Sequence, residues 1–93
     1  MGKFKVIVSE RAQKDLLSIQ KSGDKASIKK IDGIFSELYE HPETGTGKPE
    51  RLQFNLSGYW SRRINRKDRL IYLIEKDIIT VTVVSALGHY YDK

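Results

Sequence analysis

A chain of 93 residues with a formal charge of +5 at neutral pH has room for one modest core, so residues 1–93 are read as a single domain. It holds no cysteine and two histidines, which excludes disulfides, thiolate–zinc sites, cysteine nucleophiles and a histidine-rich metal cage. No apolar run approaches membrane-spanning length and no secretory h-region follows the charged opening residues, so a cytoplasmic protein that does not engage membranes is expected.

Phe4, Val6 and Val8 alternate with Lys5, Ile7 and Ser9, the pattern of a first strand. Ser9 is placed to cap a helix, with Glu10 favourable at its positive end, and Ala12, Leu16 and Ile19 supply the apolar stripe. Ser22-Gly23 stops that helix. Asp24 opens a second, whose stripe is Ile28, Ile31, Ile34, Phe35 and Leu38 and whose end is set by His41-Pro42. A loop rich in glycine and proline runs from Pro42 to Pro49. Alternation then returns: Leu52, Phe54 and Leu56 read as one strand, Tyr59 to Asn65 and Arg69 to Glu75 as two more, and Ile78 to Ser85, after a tight Lys76-Asp77 turn, as the last. The predicted fold is α+β: one N-terminal strand, a two-helix hairpin, and a four-stranded antiparallel meander with helices on one face. The other sheet face is left for function.

The excess charge is concentrated. Tyr59 to Lys76 holds six basic residues (Arg62, Arg63, Arg66, Lys67, Arg69 and Lys76) against Asp68 and Glu75, a local +4, while the remainder of the chain carries +1. A near-neutral body with one arginine-rich segment is the electrostatic footprint of a protein that meets phosphate, although a solvated basic surface has the same composition.

Gly45-Thr46-Gly47-Lys48 does not make a phosphate loop, because the glycine spacing is too short and Pro49 stands where Ser or Thr is required. Its expected role is to deliver Lys48 and Glu50 to the second strand. Trp60 and Tyr72 read as cross-strand packing partners, and His41 as a helix-end residue. Tyr90 and Tyr91 can pack likewise or stack on an unpaired base. His89, close to the last residue, is the candidate of most chemical interest. Cleaving RNA without metal needs a base for the 2′-hydroxyl, positive charge on the phosphate and an acid for the departing 5′-oxygen. Glutamate, arginine and histidine can fill these roles, and all three types occur in or beside the meander.

At Gly47-Lys48-Pro49-Glu50-Arg51-Leu52, and then at Asn55-Leu56-Ser57-Gly58-Tyr59-Trp60-Ser61-Arg62-Arg63-Ile64, the sequence resembles the YoeB (Txe) toxins of the RelE/ParE superfamily. The likeness continues through Arg69-Leu70-Ile71-Tyr72 and His89-Tyr90 and covers nearly the whole chain. It implies a RelE-like, microbial-ribonuclease-type fold and the toxin of a type II toxin–antitoxin pair. Such a toxin cuts mRNA in the ribosomal A site without metal or cofactor, through a 2′,3′-cyclic phosphate. Carried over by motif, Glu50 would be the general base and His89 the general acid. Arg69 would stabilise the pentavalent phosphate, with Arg63 helping to hold it, and Tyr90 would orient the nucleotide. Lys48, Arg62 and Arg66 would add to phosphate binding. One departure is Gln53, where relatives often carry a lysine. The implied partners are an acidic antitoxin that folds over the basic surface, the ribosome and mRNA, with a homodimer left open. The competing expectation is a non-catalytic basic nucleic-acid-binding or gyrase-targeting relative on the same fold.

Overall fold

The computed structural model describes residues 3–52 and 58–86. Strand β1 (Lys5–Val8) leads into helix α1 (Glu10–Ser22) and helix α2 (Lys25–Leu38). Then come β2 (Glu50–Arg51), β3 (Tyr59–Arg63), β4 (Arg69–Glu75), a 3-10 turn (Lys76–Ile78) and β5 (Thr80–Ser85). Both helices start where their caps dictate. The Ser9 hydroxyl accepts from the Ala12 N–H at 3.1 Å, and the Asp24 carboxylate accepts from the Ser27 N–H at 3.2 Å and the Ser27 hydroxyl at 2.7 Å. Those bonds to Ser27 favour the charged form of Asp24 and hold its carboxyl below the usual range. Gly23 ends α1 in the left-handed region, at φ 78°. Helix α2 stops at Leu38, three residues before His41, which lies beyond the helix with its ring Nδ1 3.0 Å from the Thr44 carbonyl.

The strands form one five-stranded sheet in the order β1-β5-β4-β3-β2. β2 to β5 are the antiparallel meander expected from the alternation, and β1 adds in parallel to β5, with Lys5 opposite Thr80 and Val8 opposite Val83. Both helices pack on one sheet face. There Ala12, Ile19, Ile31, Ile34 and Leu38 meet Leu70, Tyr72, Val81 and Val83 in a single core. Each fully buried aliphatic side chain in it is worth ~1.5–3 kcal/mol of transfer free energy. Trp60 stands directly opposite Tyr72, as expected of cross-strand partners.

Two strand expectations need correction. The second strand falls on Glu50–Arg51 rather than beginning at Leu52, which is buried just past its end; Phe54 and Leu56 lie outside the described residues. The tight turn at Lys76-Asp77 is a 3-10 turn, closed by Ile79 in a left-handed conformation (φ 49°), so β5 starts at Thr80. A β-branched residue at positive φ is disfavoured on its own, and nothing in the local sequence announces it.

Candidate active site

Strand alternation decides which side chains reach the face away from the helices. In β3, Trp60 and Arg62 turn toward the helices, so Tyr59, Ser61 and Arg63 face the other way. Register then aligns their neighbours: Glu50 lies opposite Ser61, Ser61 opposite Ile71, and Arg63 opposite Arg69. Glu50, Arg63 and Arg69 therefore gather at one corner of the open face, although they are 19 positions apart in the chain at the extremes.

The geometry there is an incomplete ion pair. Arg69 Nη1 stands 3.9 Å from Glu50 Oε1; the Glu50 side chain is 70% exposed and that of Arg69 21%. A contact of that length in water contributes ~0–1 kcal/mol, so it orients the groups more than it stabilises the fold. The carboxylate remains open to solvent and to any incoming proton donor. Arg63 and Arg69 face each other directly, an arrangement that costs free energy unless an anion lies between or beside them. Arg66 and Lys67 extend the same charge along the exposed β3–β4 turn, and Lys48, at φ 52°, is exposed two residues before Glu50. Ser61, between Glu50 and Ile71, is fully buried, and its hydroxyl has no hydrogen-bond partner among the described residues.

Arg62 is placed elsewhere, and the expectation that it binds phosphate is overturned. Its side chain is wholly buried on the helix side of the sheet. All of its donors are used: Nε to the Tyr72 hydroxyl (3.0 Å), Nη1 to Glu37 Oε1 (2.5 Å) and the Thr46 carbonyl (3.1 Å), and Nη2 to the carbonyls of His41 (3.0 Å) and Thr44 (2.7 Å). A guanidinium so saturated has nothing left for a ligand. Burial pushes the Glu37 carboxyl up, but bonds from the Thr46 N–H, Arg62 and the Thr46 hydroxyl, with the charge of Arg62, outweigh it and hold the group below the usual glutamate range. Burial also raises the Tyr72 phenol, partly offset by its bond from Arg62, so it stays neutral and donates to the Pro42 carbonyl at 2.7 Å. The support that Glu37, Thr46 and the Tyr72 hydroxyl give Arg62 has no signature in the sequence, which shows Tyr72 only as a cross-strand packing residue. The available signal was alternation, which sets Arg62 on the side of Trp60 and Ile64.

On the far side of β4, level with Ser61 and Ile71, the chain leaves β5 under restraint. The Ser9 hydroxyl donates to the Val84 carbonyl at 3.1 Å and the Ala86 N–H donates to Asp15 Oδ2 at 3.0 Å. A bulge shifts the β4–β5 register between Ile71 and Tyr72, where Ile71 pairs with Ser85. His89, Tyr90 and Tyr91, and likewise Gln53, lie outside the described residues. Among the described residues no helix is long and apolar enough to cross a membrane.

A small mixed sheet backed by two helices, with a carboxylate and arginines on its open face, defines the class: the fold of bacterial toxin–antitoxin toxins. The chain superposes on the YoeB dimer of Staphylococcus aureus with a TM-score of 0.79 and 34% identity, covering 95% of this chain and 99% of that one. It superposes on the toxin in the heterotetrameric YoeB–YefM toxin–antitoxin complex of the same species with a TM-score of 0.76 and 34% identity, covering 94% and 98%. In sequence it is 40% identical to toxin YoeB of Escherichia coli O6:H1 over 88 residues, 95% of this chain and all of that one. Residues 8–90 match the family model described as YoeB-like toxin of bacterial type II toxin–antitoxin system, and the chain belongs to that family.

Proposed function

We propose that this toxin is an endoribonuclease that cleaves mRNA in the ribosomal A site by attack of a 2′-hydroxyl on the adjacent phosphate. The observation that carries the reading is the pairing of an exposed Glu50 carboxylate with Arg69 at 3.9 Å, on a face where Arg63 stands opposite Arg69. The carboxylate supplies a base, and arginines on directly opposite strand positions gain most when a phosphate beside them becomes pentavalent and more negative.

In this scheme Glu50 takes the proton from the 2′-hydroxyl, whose oxygen bonds to phosphorus. The bond from phosphorus to the 5′-oxygen breaks, and His89 gives that oxygen a proton. The products are a 2′,3′-cyclic phosphate and a free 5′-hydroxyl, so neither oxidant nor metal enters the balance. Arg69 and Arg63 hold the non-bridging oxygens, Tyr90 orients the nucleotide, and Lys48 and Arg66 attract the flanking backbone. The roles of His89 and Tyr90 rest on the family motif. Acid and base each contribute ~10²–10⁴-fold in rate. The partners proposed are an acidic antitoxin, by analogy with the YoeB–YefM assembly, and the ribosome with its mRNA; a second copy of the chain is a further partner, by analogy with the YoeB dimer. The test is the chemistry of the ends released from translating ribosomes. Fragments with 5′-hydroxyl and cyclic-phosphate ends support 2′-hydroxyl attack, whereas 5′-phosphate ends mean that water is the nucleophile and the scheme is wrong.

A further inference from the structure

Arg62 and Glu50 sit on opposite faces of the sheet, yet the loop between α2 and β2 connects them. The one guanidinium of Arg62 donates to the carbonyls of His41, Thr44 and Thr46, and the Tyr72 hydroxyl, which accepts from Arg62, donates to the carbonyl of Pro42. Glu37 fixes Thr46 from the other side, taking its N–H at 2.8 Å and its hydroxyl at 2.9 Å. The next carbonyl, that of Gly47, accepts from the Arg63 N–H at 2.7 Å. Only Lys48 and Pro49 then remain before Glu50. Lys48 is locked at φ 52° and proline has its φ fixed by its ring, so little slack separates the tethered loop from the carboxylate.

We infer that Arg62 is a positioning residue for Glu50: through its buried fork it sets where the Glu50 carboxylate stands relative to Arg69. The inference rests on the proposed function and adds to it a residue that touches neither substrate nor the reacting atoms. It also gives the five donors of a guanidinium a use at this position. A lysine ammonium offers three donors from one atom and cannot span carbonyls, a phenol and a carboxylate together. A displacement of the base by about 1 Å is enough to cost ~10²-fold in rate.

The experiment compares wild type, Arg62→Lys, Glu50→Gln and the double variant, at a temperature where each is shown to be folded by circular dichroism. Cleavage on translating ribosomes is read as kcat and KM, and amide hydrogen exchange is read at Thr46 and Arg63 against Ser9, whose N–H bonds to the Val83 carbonyl in the core sheet. Arg62→Lys is expected to lower kcat by ~10²-fold with KM unchanged, and to speed exchange at Thr46 and Arg63 but not at Ser9. In the Glu50→Gln background the same change is expected to cost less than ~2-fold, because the group it positions is already gone. An equal loss in both backgrounds would overturn the inference, since Arg62 would then act without Glu50. A loss that follows only the unfolded fraction, with Ser9 exchanging as fast as Thr46, would also overturn it and leave a purely structural arginine. Full activity of Glu50→Gln alone would remove the base assignment itself, and the positioning role with it, while the exchange data would still register the tether.

Discussion

Gly47→Ala tests the loop that delivers Glu50, with Gly23→Ala as its internal control. Both glycines have left-handed backbones, at φ 87° and φ 78°. An alanine in that region costs ~1–2 kcal/mol at either site. The surroundings differ. A Cβ on Gly23 meets nothing within 4 Å, whereas one on Gly47 would lie 2.9 Å from the Arg63 carbonyl oxygen, 3.2 Å from Arg62 Cβ and 3.3 Å from the Arg63 nitrogen. None of these atoms can move aside, since Arg63 is in the sheet and Arg62 is buried and saturated. Relief must come from the loop, and it would strain or break the 2.7 Å bond from the Arg63 N–H to Gly47, worth ~1 kcal/mol. The expected losses are about 1–2 kcal/mol for Gly23→Ala and about 2–3 kcal/mol for Gly47→Ala. At roughly 5 °C per kcal/mol for a domain of this size, thermal melts should fall by about 5–10 °C and about 10–15 °C. Equal shifts for the two variants, or no shift for Gly47→Ala, would refute the steric argument and the loop placement behind it.

Two further perturbations follow from the same geometry. Ser61→Ala removes a buried hydroxyl that has no partner among the described residues, so it should raise stability by up to ~1–3 kcal/mol in a thermal melt; a lower midpoint would show that the hydroxyl is bonded in solution. Glu37 has its pKa depressed in the folded state, so its contribution is fully present above the ordinary glutamate value and is lost as pH falls through the lower, folded value. Denaturant titrations from pH ~6 down to ~2 should therefore show the advantage of wild type over Glu37→Gln shrinking with acid, the ordinary value being ~4.3, and a constant difference would contradict the assignment.

The parts of this molecule that are local in sequence were legible there. Ser9 and Asp24 cap the helices they precede, the α1 and α2 stripes face the core, and Trp60 meets Tyr72 across the β3–β4 hairpin. What escaped depends on distant partners. β1 pairs in parallel with β5, joining Lys5 to Thr80 across nearly the whole chain, and no local pattern encodes that choice. Arg62 sits in a run of basic residues that reads as surface because a buried guanidinium is costly to desolvate. Its compensation comes from Glu37, 25 residues away, and from loop carbonyls that carry no side-chain signature. Strand alternation sets it on the side of Trp60 and Ile64, a signal that the charge density of the segment overrides. Of the candidate site, Glu50, Arg63 and Arg69 do converge on one face, and Lys48 and Arg66 are exposed near it. Arg62 serves the site only through its support.

The chemistry proposed is acid–base cleavage of mRNA on the ribosome by Glu50 and His89. The most direct test is 5′-end mapping of a defined mRNA in a cell-free translation system, with wild type, Glu50→Gln and His89→Gln side by side. Breaks are expected at one fixed position within codons, dependent on ribosomes and weakened by ~10²–10⁴-fold in each variant. Translation arrest without breaks, or breaks that persist undiminished in both variants, would contradict that chemistry.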